Sequence, residues 1–212
     1  MTATERPRSI GLAPGLDDAA AGQDAAKYGT SNPVVQKLLT AWMAKLQGVL
    51  GVATGPVVDV GIGEGFALER MFPAATEVVG LEYRHDKAVV AAGRLPAASV
   101  VRGDAGVLPF PDRSAELVTS IEVLEHLPGY SQAVAEMSRI CRGRLVVSVP
   151  WEPWFRLGNL GRGKNVARWG NDPEHVNHFN PARLQRALGQ DFAEVRIVRA
   201  FPWIIAEASH PR

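Results

Sequence analysis

From Gly55 onward the chain alternates between short β-branched runs and stretches with apolar residues at helical spacing. Val57-Val58-Asp59-Val60 predicts a buried strand, and Phe66–Met71 the helix that follows it. Glu77–Tyr83 and Ser99–Arg102 read as further strands, with a helix over Asp86–Leu95 between them. After the turn-rich Leu108-Pro109-Phe110-Pro111-Asp112, a fourth strand is expected over Leu117–Val123, a helix over Tyr130–Cys141 and a fifth strand over Leu145–Val149. Pro181–Leu188 predicts a short helix. Val195–Ala200 and Trp203–Ala206, joined by little more than Phe201-Pro202, must then pair as a hairpin. Ahead of the first strand, Ser31-Asn32-Pro33 supplies capping residues and a proline at a first helical position for an amphipathic helix over Val34–Leu50. Strands and helices alternating at this pace imply right-handed βαβ units. The expectation is a three-layer α/β sandwich with a seven-stranded, mostly parallel sheet whose strand 7 is antiparallel.

Two stretches break the rhythm. Residues 1–29 are rich in Ala, Gly, Asp and Pro and are expected to form a flexible arm, leaving residues 30–212 as one domain. Residues 151–179 leave the end of the fifth strand as a long insertion carrying Gly158, Gly161, Gly163 and Gly170 among Arg156, Arg162, Lys164 and Arg168. That is the sheet edge at which open α/β sheets bind ligands, so the insertion reads as a substrate lid.

Composition changes this picture little. At 46% hydrophobic and 21% charged the chain is an ordinary globular one, and a net charge of +1 gives no global pull toward nucleic acid or anionic surfaces. A nucleic-acid partner is therefore not expected, and with no apolar run approaching the roughly 20 residues that span a bilayer, neither is a membrane partner. The lone Cys141 permits no intrachain disulfide, which points to a reducing, cytoplasmic location. The expected partner is a small-molecule substrate.

The chemistry concentrates after the predicted strands. Asp59-Val60-Gly61-Ile62-Gly63-Glu64-Gly65 joins the first strand to its helix as an acid followed by GxGxG. A dinucleotide fingerprint places a third glycine where this chain has Phe66, and a pyrophosphate favours a helix start without acids. Asp59 and Glu64 suit instead a ligand carrying an amino group and a sulfonium. VVDVGIGEG resembles motif I of the class I S-adenosylmethionine (SAM)-dependent methyltransferases, a Rossmann-like family. The type 11 small-molecule group, with its ubiquinone-pathway O-methyltransferases, is the part of the family it most resembles. The likeness runs from about residue 55 to 208. Glu82 follows Asp59 by 23 residues. The resemblance implies that Glu82 holds the ribose hydroxyls, that Tyr83 flanks the adenine, and that Asp104 with Ala105 meets the adenine amino group. It assigns Asp59, Gly61, Gly63, Gly65 and Glu122 to the cofactor as well.

Methyl transfer to oxygen needs alignment, exclusion of water and removal of a proton. Glu125, His126 and His178 are the candidates for this work. Glu122-Val123-Leu124-Glu125-His126 with a later histidine, His178 or His175, resembles the metal site of the ubiquinone-pathway enzymes and of the small-RNA 3′-terminal methyltransferases. If the chain turns helical there, Glu122, Glu125, His126 and His178 would hold Mg²⁺ or Mn²⁺. The same segment also occurs in metal-free members, where it packs and lines the cofactor pocket. A hydroxyl acceptor, a carbon or nitrogen acceptor and an RNA 3′ end thus stand as alternatives, beside a nicotinamide-dependent reductase and a SAM-binding scaffold. Trp151, Trp154 and Trp169 either wall an aromatic acceptor or pin the lid. Tyr28 either packs or folds over the cofactor. Cys141 reads as core.

Overall fold

The structure is a computed structural model that describes residues 28–72, 77–163 and 165–212. The expected arm over residues 1–29 lies almost wholly outside the described residues, as does Lys164. Helix α1 (Pro33–Leu50) begins where Asn32 accepts hydrogen bonds from the Val34 and Val35 amides through its side chain, with proline at the first turn. Next come β1 (Val57–Val60), α2 (Phe66–Met71), β2 (Val78–Glu82), α3 (His85–Arg94), β3 (Ser99–Arg102) and β4 (Ala115–Ile121). The chain continues through α4 (Tyr130–Ile140), β5 (Cys141–Pro150), α5 (Trp154–Gly161), α6 (Pro181–Leu188), β6 (Phe192–Ala200) and β7 (Trp203–Pro211).

The sheet runs in the order β3-β2-β1-β4-β5-β7-β6. β1 to β5 pair in parallel, and β7 lies antiparallel between β5 and β6. The seven-stranded Rossmann-like sheet with an antiparallel seventh strand is therefore as expected. The order reverses between β1 and β4, and that switch point opens a crevice at the carboxyl ends of the strands. Central strands read as continuous apolar runs because both faces are covered. One face buries Leu124, Val134, Met137, Leu184 and Phe192, and the other Trp42, Leu46, Leu68 and Ala91.

Two segments differ from expectation. The chain after β4 does not become an α-helix: only Leu124–His126 form a single 3₁₀ turn, because Glu122 sits at φ 57, in the left-handed region. The insertion over residues 151–179 is not a plain loop but contains α5 and a 3₁₀ turn over Val166–Arg168. Its two ends lie side by side, with the Glu152 amide donating to the Phe179 carbonyl at 2.8 Å. Cys141 is fully buried and burial pushes its thiol up to about 12, which makes it core and not a nucleophile.

Helix α1 is bound to the sheet through Trp42. It stacks on Trp203 at 4.8 Å, and its indole Nε1 donates to Ser148 Oγ at 2.9 Å. Replacing Trp42 by alanine removes a fully buried ring and the indole donor to Ser148 Oγ, whose own hydrogen bond to the Ile204 carbonyl remains. Urea denaturation of Trp42→Ala is expected to show a loss of about 3–5 kcal/mol; a loss below about 1 kcal/mol would mean that α1 contributes little to the fold.

Candidate active site at the β1–β4 switch point

The turn after β1 is shaped by its glycines, at φ 86, 59 and 84 for Gly61, Gly63 and Gly65. At Gly61 a side chain would also run into Val123 beyond β4, so only hydrogen lets the turn close against that strand end. Gly63 donates its amide to Glu82 Oε2 at 2.9 Å, while Oε1 of the same carboxylate accepts from the Arg84 amide at 2.9 Å. One buried acid at the end of β2 thus ties its own loop to the glycine turn.

Asp59, at the head of this turn, is buried, and its Oδ1 accepts from Thr119 Oγ1 at 2.5 Å. Burial raises its carboxyl to about 6; the Thr119 hydrogen bond opposes that rise and the nearby Glu82 charge adds to it. Asp104 shapes the loop after β3, where Oδ1 accepts from the Gly106 amide at 2.7 Å.

These elements enclose a cavity of about 170 Å³. Of the residues expected to hold a cofactor, Asp59, Gly61, Gly63, Glu82, Tyr83, Asp104, Ala105 and Glu122 all line it. Gly65 does not; it caps the start of α2. Tyr28 does line the cavity, with its ring stacked on Phe66 at 5.8 Å. The sequence reading missed Arg84, Lys87 and Glu174, which stand in the same wall. Arg84 and Lys87 follow from the acid-to-helix spacing after β2. No local pattern marks Glu174, which arrives from the lid.

Four residues were expected to converge on the reaction or on a metal, and they part company. The side chain of Glu122 turns toward β7, where Oε1 accepts from Trp203 Nε1 at 2.6 Å. His178 lies off the cavity with Nε2 against Asn171 Oδ1 at 2.7 Å. Burial, with Arg156 and Arg183 nearby, lowers its pKa. The group that does assemble is Glu125, His126 and His175, with donor atoms all within 4.8 Å of one another. The left-handed turn at Glu122 is why it is excluded: it breaks the helical register that would have put Glu122 and Glu125 on one face. Of the three, only His126 lines the cavity.

The lid holds this group in place through its backbone. The Val176 and Asn177 amides both donate to the Glu125 carbonyl, at 2.9 and 3.0 Å. Asn177 Nδ2 donates to the Leu124 and Leu127 carbonyls at 3.0 and 2.7 Å. His126 Nδ1 lies 2.9 Å from the Glu174 carbonyl, which can only accept, so Nδ1 carries the hydrogen and Nε2 the lone pair. Burial lowers the His126 pKa, outweighing the hydrogen bond to Glu174 and the charges of Glu174 and Asp172. Trp151, Trp154 and Trp169 do not line the cavity, nor do Arg156, Arg162 and Arg168.

Comparison with known proteins fits this geometry. Residues 58–147 match the family described as a methyltransferase domain. A probable S-adenosylmethionine-dependent methyltransferase of Mycolicibacterium smegmatis is 33% identical over 136 residues, covering 62% of this chain and 49% of that protein. A demethylmenaquinone methyltransferase of Renibacterium salmoninarum is 33% identical over 135 residues, covering 62% and 57%. The chain thus spans about half the length of the curated relatives it matches. Magnesium protoporphyrin IX methyltransferase from Synechocystis, solved with bound S-adenosylhomocysteine (SAH), superposes with a TM-score of 0.65 at 17% identity, over 88% of this chain and 92% of that one. At that identity the likeness is one of fold.

The raised carboxyl of Asp59 has a definite sign in the stability profile. The folded protein holds a proton up to about pH 6 that the unfolded chain releases near pH 3.8, the ordinary aspartate value. Stability of the ligand-free protein is therefore expected to rise as pH falls from about 6 toward 4 through this group. Denaturant titrations across that range check it: Asp59→Asn should flatten the dependence, and a variant profile parallel to the parent's would assign it to other groups.

Proposed function

We propose that this chain, whose residues 58–147 form a methyltransferase domain of the class I SAM-dependent group, moves a methyl group from SAM to a hydroxyl oxygen of a small-molecule acceptor. The observation that carries the reading is His126: a residue of the cavity wall that also holds Glu82 and Asp104, its Nδ1 committed to the Glu174 carbonyl so that Nε2 is the basic nitrogen. When bound, SAM supplies an electrophilic methyl on a sulfonium.

The residues of the cavity fit that ligand. Asp59, Glu82 and Asp104 place carboxylates around it, which attract an ammonium and a sulfonium and suit ribose hydroxyls better than a phosphate. Glu82, already the acceptor for the Gly63 and Arg84 amides, sets the shape of the floor. Tyr28 over Phe66 narrows the mouth and helps to exclude water. His126 then takes the proton of the acceptor hydroxyl at Nε2 while the Glu174 carbonyl steadies the imidazolium at Nδ1.

Calorimetry is expected to find SAM and SAH binding, weakened at least about tenfold in Glu82→Ala, which loses a charged partner of two amides. His126→Asn is expected to lower kcat by about 10²–10⁴-fold and to leave SAH affinity unchanged. Because burial depresses the His126 pKa, the base form persists into more acidic solution, and the acidic limb of kcat should fall below the ordinary histidine range. Absence of SAH binding by the parent protein would remove the reading altogether.

The convergence of Glu125, His126 and His175 favours a second form of the same reaction, in which the three hold a divalent ion that acidifies the acceptor. One carboxylate and two imidazoles, with His126 oriented from behind by the Glu174 carbonyl, make a donor set that fits Mn²⁺ better than Mg²⁺. Activity abolished by EDTA, restored by Mn²⁺ and lost alike in His126→Asn and His175→Ala would establish the metal form. Activity indifferent to chelator, with His175→Ala mildly affected, would leave His126 as the base alone.

A further inference from the structure

We infer that the lid carries a docking surface for an anionic lipid bilayer. Helix α5 exposes Trp154 (44%) and, one turn on, Leu157 (51%). Phe201, at the β6–β7 turn, is 52% exposed and lies 6.3 Å from the Trp154 ring. Trp169 is 76% exposed. It is brought to the same helix by Gly170, which packs on the Arg156 carbonyl and Leu160 and accepts a hydrogen bond at its own carbonyl from the buried Asn159 side chain at 3.0 Å. Trp169 itself sits at φ 51, a conformation costly for so bulky a residue, and it is held there with its ring in solvent. Trp154, Leu157 and Phe201 make a cluster of large apolar side chains at the surface, with Trp169 exposed on the same insertion, and such a set marks an interaction site.

Charge identifies the occupant. From Pro153 to Asn171 every charged residue is basic, Arg156, Arg162, Lys164 and Arg168, although the whole chain carries only +1. Arg162 and Arg168 are exposed on the same insertion. The first acid at the near end, Glu152, is largely buried beneath it. Exposed tryptophan, phenylalanine and leucine together with exposed arginine is the chemistry of a segment lying in the headgroup layer of an anionic membrane. A nucleic acid would meet the arginines and the rings but has no use for Leu157. No helix among the described residues is long and apolar enough to cross a membrane, so contact is with the surface.

The position of the patch gives it a purpose. The β6–β7 turn and the start of α5 both lie at the carboxyl edge of the parallel strands, the edge that holds the cavity. Docking would bring the cavity's edge of the sheet to the bilayer while leaving its lining untouched, since neither Trp154 nor Trp169 enters it.

The test is co-sedimentation of the full chain with phosphatidylcholine vesicles containing phosphatidylglycerol, beside vesicles of phosphatidylcholine alone. Binding is expected to the anionic vesicles, at least about tenfold weaker to the neutral ones, and reversed by salt. Trp154→Ser with Trp169→Ser is expected to weaken it at least about tenfold. Arg162→Gln with Arg168→Gln should weaken it about fivefold per arginine. SAH affinity, measured on each variant, should equal the parent's and so certify the fold; it also keeps this proposal separate from the assignment of the cofactor. Failure of the parent to sediment with anionic vesicles, or equal binding by the tryptophan variant, overturns the proposal. So does a dimer in ultracentrifugation that the tryptophan variant dissolves, which would make a second copy of the chain the occupant.

Discussion

The carbonyl of Glu125 accepts two amides from the lid, and Asn177 spans the carbonyls on either side of it. The cavity wall that carries His126 depends on this clamp. Together with the Leu127 amide, which donates to the Leu124 carbonyl, it satisfies the carbonyls of the 3₁₀ turn after β4. It also brings Glu174 to the back of His126, and that single contact decides which imidazole nitrogen carries the proton. The tautomer of the candidate base is thus set by backbone geometry nearly fifty residues away along the chain.

A second set of contacts fixes the wall built on β1 and β2. The Glu82 carboxylate bonds the Gly63 and Arg84 amides, and the Val123 side chain fills the space that only a glycine at position 61 leaves open. β1, β2 and β4 therefore hold each other's loops at the one place where the sheet order reverses. The two sides meet at Glu122, whose left-handed backbone turns its carboxylate to Trp203. Trp203 in turn packs on Trp42 of α1 and on Phe155 of the lid helix. Helix, lid and cavity wall share this aromatic junction, so the lid is anchored beneath while its outer face stays free to meet other surfaces.

The acids in the cavity have divergent environments. Asp59 is buried and near Glu82, which raises its carboxyl to about 6. A cationic ligand nearby favours its ionised form, so ligand affinity and Asp59 ionisation are linked. His126 is held neutral by burial despite neighbouring acids. An acid pushed up and a base pushed down within one cavity is a pattern suited to binding a cation and accepting a proton at the same pH.

Much of this was legible along the chain. Alternating β-branched and helical runs determine a parallel α/β sheet, because a strand covered on both faces must be apolar throughout, and a two-residue link admits only a hairpin. The acid-glycine turn and the acid at 82 mark the cavity because local backbone geometry and a fixed strand length place them at one edge. Tertiary structure alone decided the rest. Glu122, Glu125, His126 and His178 look like one set in sequence, yet a single left-handed residue rotates Glu122 away. The lid's path then presents His175, three residues earlier than His178, to the cluster. Which histidine arrives depends on hydrogen bonds between segments about fifty residues apart, and no local preference of the backbone encodes such a choice.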